Sequence, residues 1–435
     1  MFTRMRLANT AAAALVALPY ASAQLNDLAK AAGLKYLGSA LDNSELTDTA
    51  YTAILSDVSE VGQITPGNTQ KWQYIEPSQG TFDFTKGDVI VDFAETNSQV
   101  MRCHTLVWYS QLPSWVSSTT WTAAEMTSII NVHIANEVGH YKGQCYAWDV
   151  VNEALDDSAA FRDNVFYEVL GEEYITLAFK AAAEADPDAK LYYNDYNIES
   201  TGAKQEATVS IIKNITAAGA RVDGVGMQGH FIVDSMPSVE SIQAAMQSYM
   251  DAGVTEVAFT ELDVKFSSVP ASADGLEDQA AAYATVVGAC LAQSGCIGIT
   301  LWGFSDKYSW VPTTFPGEGE ACLYDDTLSK KPAWTAVSSV LAAAATGSAG
   351  STTSAAPASE TSLPAAAISV SAASSQALSS SVAVSSQPPA TISAAAAVTM
   401  SSTEAAVPTT TSAPASMARP KCSKTRKAKR AISPL

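Results

Sequence analysis

The chain has 435 residues, with 25 basic against 44 acidic side chains and a formal charge of -19. That length exceeds one average domain but fits one large α/β barrel with appendages, and the acidic balance opposes binding to nucleic acid. After a short apolar run near the start, no stretch approaches the ~18 apolar residues of a membrane span, so no membrane association is expected.

At the N-terminus, Arg4 and Arg6 precede an Ala/Leu/Val run at 11–18 and the small-x-small triplet Ala21-Ser22-Ala23. This is the form of a signal peptide at residues 1–23, with Gln24 as the first mature residue and a secreted, extracellular product. Short β-rich runs then alternate with Ala-rich helical stretches. The predicted strands are 36–40, 62–65, 100–106, 146–151, 190–194, 224–228, 256–262 and 297–301. Such interleaving predicts a (β/α)8 TIM barrel as the domain at 24–345. A doubly wound sheet is the structural alternative, but Gly38-Ser39-Ala40 after the first strand forms no Gly-rich phosphate cradle.

Export permits disulfides. Of the six cysteines, Cys290 with Cys296 is the expected pair and Cys103 with Cys145 a plausible second, with Cys322 as a thiol and Cys422 in the tail. No spacing among them resembles a zinc site. Asn214, in Asn-Ile-Thr, has the form of a glycosylation acceptor. From Gly347 onward there is no aromatic residue, and Ser, Thr, Ala and Pro dominate, which predicts a disordered, O-glycosylated stalk at 346–418. The basic tail at 419–435 reads as a solvated charge run; adhesion to anionic wall polymers, or processing after Lys429-Arg430, is the sharper alternative. It lacks the hydrophobic end of a GPI signal and the aromatic platform that crystalline cellulose requires.

Polar residues gather at the predicted strand ends: His104, Asn152, Glu153, Asn194, Gln228, His230, Glu261, Asp263 and Trp302. In a barrel these ends open on one face, where active sites lie. Glu153 and Glu261, on the fourth and seventh predicted strands, would face each other across the mouth. Glycoside hydrolysis needs such a pair, one carboxyl to protonate the leaving oxygen and one to attack or stabilise the oxocarbenium-like carbon. Each glutamate alone serves equally well at a helix N-terminus. A lone buried histidine is more often a satisfied core group, and tryptophans are ordinarily core.

Longer motifs shift that balance. Trp-Asp-Val-Val-Asn-Glu-Ala at 148–154, Asn-Asp-Tyr-Asn at 194–197, Asp-Gly-Val-Gly-Met-Gln-Gly-His at 223–230 and Thr-Glu-Leu-Asp-Val at 260–264 resemble those of family-ten glycoside hydrolases. These are (β/α)8 endo-β-1,4-xylanases, and the resemblance spans about residues 25–345. It implies Glu153 as acid/base and Glu261 as nucleophile of a retaining double displacement, with carboxyls about 5 to 5.5 Å apart. His230 and Asp263 are placed to keep Glu261 ionised. By the same resemblance His104, supported by Asp149, meets the sugar at the cleavage site, and Asn152 bonds its 2-hydroxyl. Asn68, Lys71, Trp108, Gln111 and Gln228 match positions on the non-reducing side, Asn194 and Tyr196 fall nearer the leaving group, and Trp302 and Trp310 wall the cleft.

Two departures stand out. The family's Pro-Glu-Asn is here Pro66-Gly67-Asn68, so a carboxylate that grips a distal xylose is missing and weaker hold there is expected. The family's Trp-His-Ser-Gln is Trp108-Tyr109-Ser110-Gln111, a phenol for an imidazole. The expected activity is hydrolysis of xylan or xylo-oligosaccharides by a monomer with no cofactor and no metal. Hydrolysis of β-1,4-glucans, or a catalytically weak xylan-binding surface protein, are the alternatives.

Overall fold

Nine parallel strands make up the sheet of the computed structural model, which describes residues 24–351, with side chains to 347. They are β1 (Tyr36–Leu41), β2 (Gln63–Pro66), β3 (Val100–Trp108), β4 (Ala147–Asn152), β5 (Lys190–Asp195), β6 (Gly224–Met227), β7 (His230–Ile232), β8 (Glu256–Lys265) and β9 (Cys296–Leu301). The barrel closes because β1 pairs with both β2 and β9 while β6 pairs with β8. Closure excludes the doubly wound alternative and leaves eight barrel strands, as the alternation of elements predicts. The signal peptide at 1–23, the stalk beyond residue 351, the basic tail and Cys422 lie outside the described residues. The last helix, Pro332–Ser351, crosses the boundary drawn at 345.

The strands form where they do because they are covered on both faces, so each reads as a run of buried residues rather than an alternation. Helices on the outside show the other period. In Ala123–His140 the buried residues Met126, Ile129, Ile130, His133, Ile134, Glu137 and Val138 share one face, and a Thr122/Glu125 capping box starts the helix. Inside the barrel the filling is unusually polar. Gln63 donates to Thr65 Oγ1 at 2.8 Å, and Thr300 donates to Gln63 Oε1 at 2.6 Å. Gly224 and Gly298 make room for the Tyr192 and Tyr36 rings, since a Cβ at either position would fall 2.5 or 2.6 Å from ring atoms.

The structure departs from the predicted strands at one functional place. The sixth predicted strand runs through Gln228, but β6 stops at Met227 and a separate strand, β7, starts three residues later at His230. β7 pairs with β8, with His230 opposite Asp263, and β8 is ten residues long, enough to continue past the barrel rim. That pairing is set by the length of a strand 26 positions further on, which no local pattern at 224–232 records.

Among the described residues there are two disulfides, Cys103–Cys145 and Cys290–Cys296, and Cys322 is a buried thiol. The first closes 42 positions and the second six. Chain entropy then assigns about 4 kcal/mol to the first and about 2 kcal/mol to the second. Thermal melts should therefore show a larger drop in Tm for Cys103→Ala/Cys145→Ala than for Cys290→Ala/Cys296→Ala, and the reverse order would contradict the loop-length account.

Candidate active site

Glu261 and Asp263 are two apart on β8, so both carboxylates point the same way from the strand. Both are buried, and His230 stands between them: Nε2 lies 3.2 Å from Glu261 Oε2 and Nδ1 lies 3.0 Å from Asp263 Oδ1. Asp263 is held from behind by the Trp310 indole N–H, which donates to Oδ2 at 2.7 Å. β7 sets the position of the imidazole, and the preceding Gly229 N–H is anchored on Glu199 Oε1 at 2.7 Å. Burial by itself would lower the His230 pKa, but the charge and hydrogen bond of Asp263, with those of Glu261, push it up to about 10. The reciprocal effect acts on Glu261. Burial raises its pKa, and the His230 hydrogen bond, the charges of His104 and His230 and a bond from Asn194 outweigh that and hold it below the usual carboxylate value.

Across the mouth, β4 ends at Asn152 and the next residue turns sharply. Glu153 takes a left-handed backbone with φ of 55°, secured by its N–H donating to the Asn194 carbonyl at 2.9 Å. A non-glycine residue in that region is strained, and such strain gathers at functional sites. The Glu153 carboxylate accepts from Gln228 Nε2 at 2.9 Å and from Asn152 Nδ2 at 3.2 Å. Arg162 fixes the same residue through its carbonyl, at 3.2 Å.

Asn194 joins the two sides. Thr260 donates to its Oδ1 at 2.6 Å, which orients the amide, and its Nδ2 then donates to Asn152 Oδ1 and Glu261 Oε1, each at 2.8 Å. It is fully buried, with its amide shared between the two sides of the mouth. Gln228 is likewise buried, as is His104, and its amide is on Glu153.

The remaining predicted residues lie at the neighbouring strand ends and in the segments that follow them. His104 Nδ1 lies 3.0 Å from Asp149 Oδ2, and Asp149 Oδ1 accepts from the fully buried Arg102 at 2.6 Å. Half-buried Trp302 meets His104 edge-on at 5.4 Å between ring centres. Lys71 donates to Asn68 Oδ1 at 3.1 Å, as does Gln111, and the Lys71 ammonium sits 4.7 Å from the Trp108 ring centre. Tyr196 accepts from Arg162 at 3.0 Å. Arg162 also lies 4.3 Å over Tyr109, whose phenol is pushed above its ordinary pKa by burial and then by the charge of Glu153. Arg102, Arg162 and Glu199 carry no motif of their own in the sequence; each acts through a partner further along the chain. Among the described residues, no group of three or more His, Cys, Asp or Glu is arranged to hold a metal ion.

The family model for glycosyl hydrolase family 10 matches residues 24–340. Endo-1,4-beta-xylanase 1 of Humicola insolens is 52% identical over 331 residues, covering 76% of this chain and 77% of that one. Endo-1,4-beta-xylanase D of Talaromyces funiculosus is 51% identical over 344 residues, covering 79% and 83%. Among solved structures, the Penicillium canescens endo-1,4-beta-xylanase XylE superposes with a TM-score of 0.71 at 44% identity, covering 74% of this chain and 98% of that one. The xylanase 10B of Thermotoga petrophila, in complex with xylobiose, gives a TM-score of 0.71 at 36% identity, covering 74% and 98%. With the family match spanning most of its length and relatives near half identity, this chain belongs to glycosyl hydrolase family 10.

Proposed function

We propose that the chain hydrolyses internal β-1,4-xylosidic bonds of xylan with retention, Glu261 acting as nucleophile and Glu153 as acid/base. The observation that carries this reading is the unequal setting of the two carboxylates. Glu261 is hydrogen-bonded to a histidine that is itself held protonated, whereas the Glu153 carboxylate receives its hydrogen bonds from neutral amides. In the first step Glu261 attacks the anomeric carbon as Glu153 gives its proton to the glycosidic oxygen, and the leaving chain departs. In the second, Glu153 takes a proton from water, the water oxygen attacks the anomeric carbon, and the ester to Glu261 breaks. Xylan is the substrate class because the family's curated relatives are named endo-1,4-beta-xylanases.

We further propose a secreted, monomeric enzyme made of a leader at 1–23, the barrel, and a glycosylated stalk with a basic end. The leader-like sequence supports export, as do the two disulfides, which persist in oxidising compartments. Among the described residues no helix is long and apolar enough to cross a membrane. Asn214 is exposed on the helix Ala203–Ala217. Intact-mass measurement of protein collected from the medium should give a chain starting at Gln24 with added hexose; a mass that retains residues 1–23 would refute the leader.

Reducing-sugar release from soluble arabinoxylan tests the activity. Glu261→Ala should fall to background, and Glu153→Gln should lose roughly 10²- to 10⁴-fold in kcat. Equal release by wild type and Glu261→Ala would leave only a binding protein, and faster release from β-1,4-glucan than from xylan would replace the substrate. The first product seen by proton NMR should be the β-anomer; an α-anomer would mean inversion.

The pH profile tests His230. Its hydrogen bond and charge oppose the burial that raises the Glu261 pKa. In His230→Asn burial acts with less opposition, so the Glu261 pKa rises and the acid limb of kcat/KM moves to higher pH. An acid limb that stays in place would show that the imidazole does not govern the nucleophile.

A further inference from the structure

The imidazole that bridges Glu261 and Asp263 hangs on Gln228 and Gly229, the short link between β6 and β7. That link is tied down by its backbone. The Gln228 N–H donates to the Asp195 carbonyl at 2.9 Å, and the Gln228 carbonyl accepts from the Glu261 N–H at 2.8 Å. The Gly229 carbonyl accepts from the Asp263 N–H at 3.2 Å. The Gly229 N–H is different, because its acceptor is a side chain: Glu199 Oε1, 2.7 Å away. Gly229 has φ of 79°, and a Cβ there would fall 3.1 Å from Phe259, a tight contact. With no side chain of its own to steady it, this turn is held from outside.

Glu199 is buried, in the segment that follows β5. The preceding Ile198 is fully buried too, and its carbonyl accepts from the Tyr249 hydroxyl at 2.7 Å, so the helix Val239–Ala252 fixes this segment. The titratable and charged groups facing the Glu199 carboxylate are His230 from β7, Lys204 from the helix Ala203–Ala217, and Tyr249. Lys204 is already paired with Asp195 at 2.9 Å. Burial raises the Glu199 pKa, and the bonds from the Gly229 N–H and its own N–H, with the charges of His230 and Lys204, oppose that rise.

We propose that Glu199 is a positioning residue for the nucleophile: it fixes the Gln228-Gly229 link so that one imidazole reaches Glu261 and Asp263 at once. The proposal rests on the xylanase reading, in which Glu261 attacks as an anion. Without the anchor the buried Gly229 N–H lacks an acceptor, the link shifts to find one, and the imidazole loses its fit to Glu261. Burial then acts on Glu261 with less opposition, since what remains is the charge of His104 and Lys71 and the bond from Asn194. Its pKa rises, and the ionised nucleophile appears only at higher pH.

The pH dependence of kcat/KM on soluble arabinoxylan tests this. Glu199→Met keeps much of the volume and lacks the acceptor. Its acid limb should move up by about half a pH unit or more, and activity should fall roughly 10- to 10²-fold, mostly in kcat, as for a group that acts through another. Glu199→Gln keeps an oxygen for the Gly229 N–H, so its acid limb should stay at the wild-type position. Glu199→Met/His230→Asn should show the acid limb of His230→Asn alone, because both changes act through one imidazole. A Glu199→Met enzyme that loses Tm but keeps the wild-type limb would be the mark of a plain loop staple and would overturn the proposal. So would a further shift in the double variant, or a Glu199→Gln limb that moves as far as that of His230→Asn; this last comparison decides should Glu199→Met not fold. Wild-type protein that releases no sugar would sink the xylanase reading and this proposal with it. Active wild type beside an unmoved limb in Glu199→Met would sink the proposal alone.

Discussion

Two carboxylates two residues apart on one strand of a buried site repel each other, a cation between them offsets that repulsion, and much of this site follows from that constraint. Glu261 and Asp263 are such a pair, and His230 is the cation, 3.2 Å from one and 3.0 Å from the other. Like charges at that spacing would otherwise drive one carboxyl to hold its proton. The imidazole needs a strand to carry it, so β7 exists; β7 needs a partner above the rim, so β8 runs to ten residues. Trp310 from the loop after β9 closes the far side of Asp263, and in doing so brings an aromatic wall to the mouth.

In the proposed mechanism Glu153 is under the opposite demand, since it would give up a proton and later take one. Its surroundings differ accordingly. Asn152 and Gln228 donate to it without carrying charge, and the nearby guanidinium of Arg162 is turned onto its carbonyl, the Leu155 carbonyl and the Tyr196 hydroxyl. The division of labour between acid and nucleophile thus arises from what each carboxylate touches, one a cation and the other amides. Asn194 couples the two halves while remaining out of solvent, so the separation of the reacting groups is set by one buried amide whose orientation Thr260 decides.

The barrel strands could be read from sequence because parallel strands are buried on both faces and end in polar residues, a pattern local to each strand. Glu153, Glu261, His104 and Asp263 were legible for the same reason, being the polar ends of apolar runs. Depth was not legible. Asn194 and Gln228 lie at polar strand ends, like Trp108 and Tyr196 in their neighbourhood, but the closing of the barrel buries them, and closure is a property of all eight strands. β7 was missed because its pairing depends on a distant strand. Arg102, buried against Asp149 and lying 4.7 Å over Tyr192, gave no sign of itself, since an arginine within a strand is ordinarily a surface residue.

Both departures from the family motifs acquire a partner once neighbours in space are considered. Tyr109 replaces an imidazole with a phenol that stays protonated across the working range, and Arg162 lies over its ring, so the position becomes part of the clamp on Glu153 rather than a titrating group. Gly67 removes a side chain at the point where Asp42 brings a carboxylate. A motif records which residue type follows which along the chain, whereas charged groups meet at points in space.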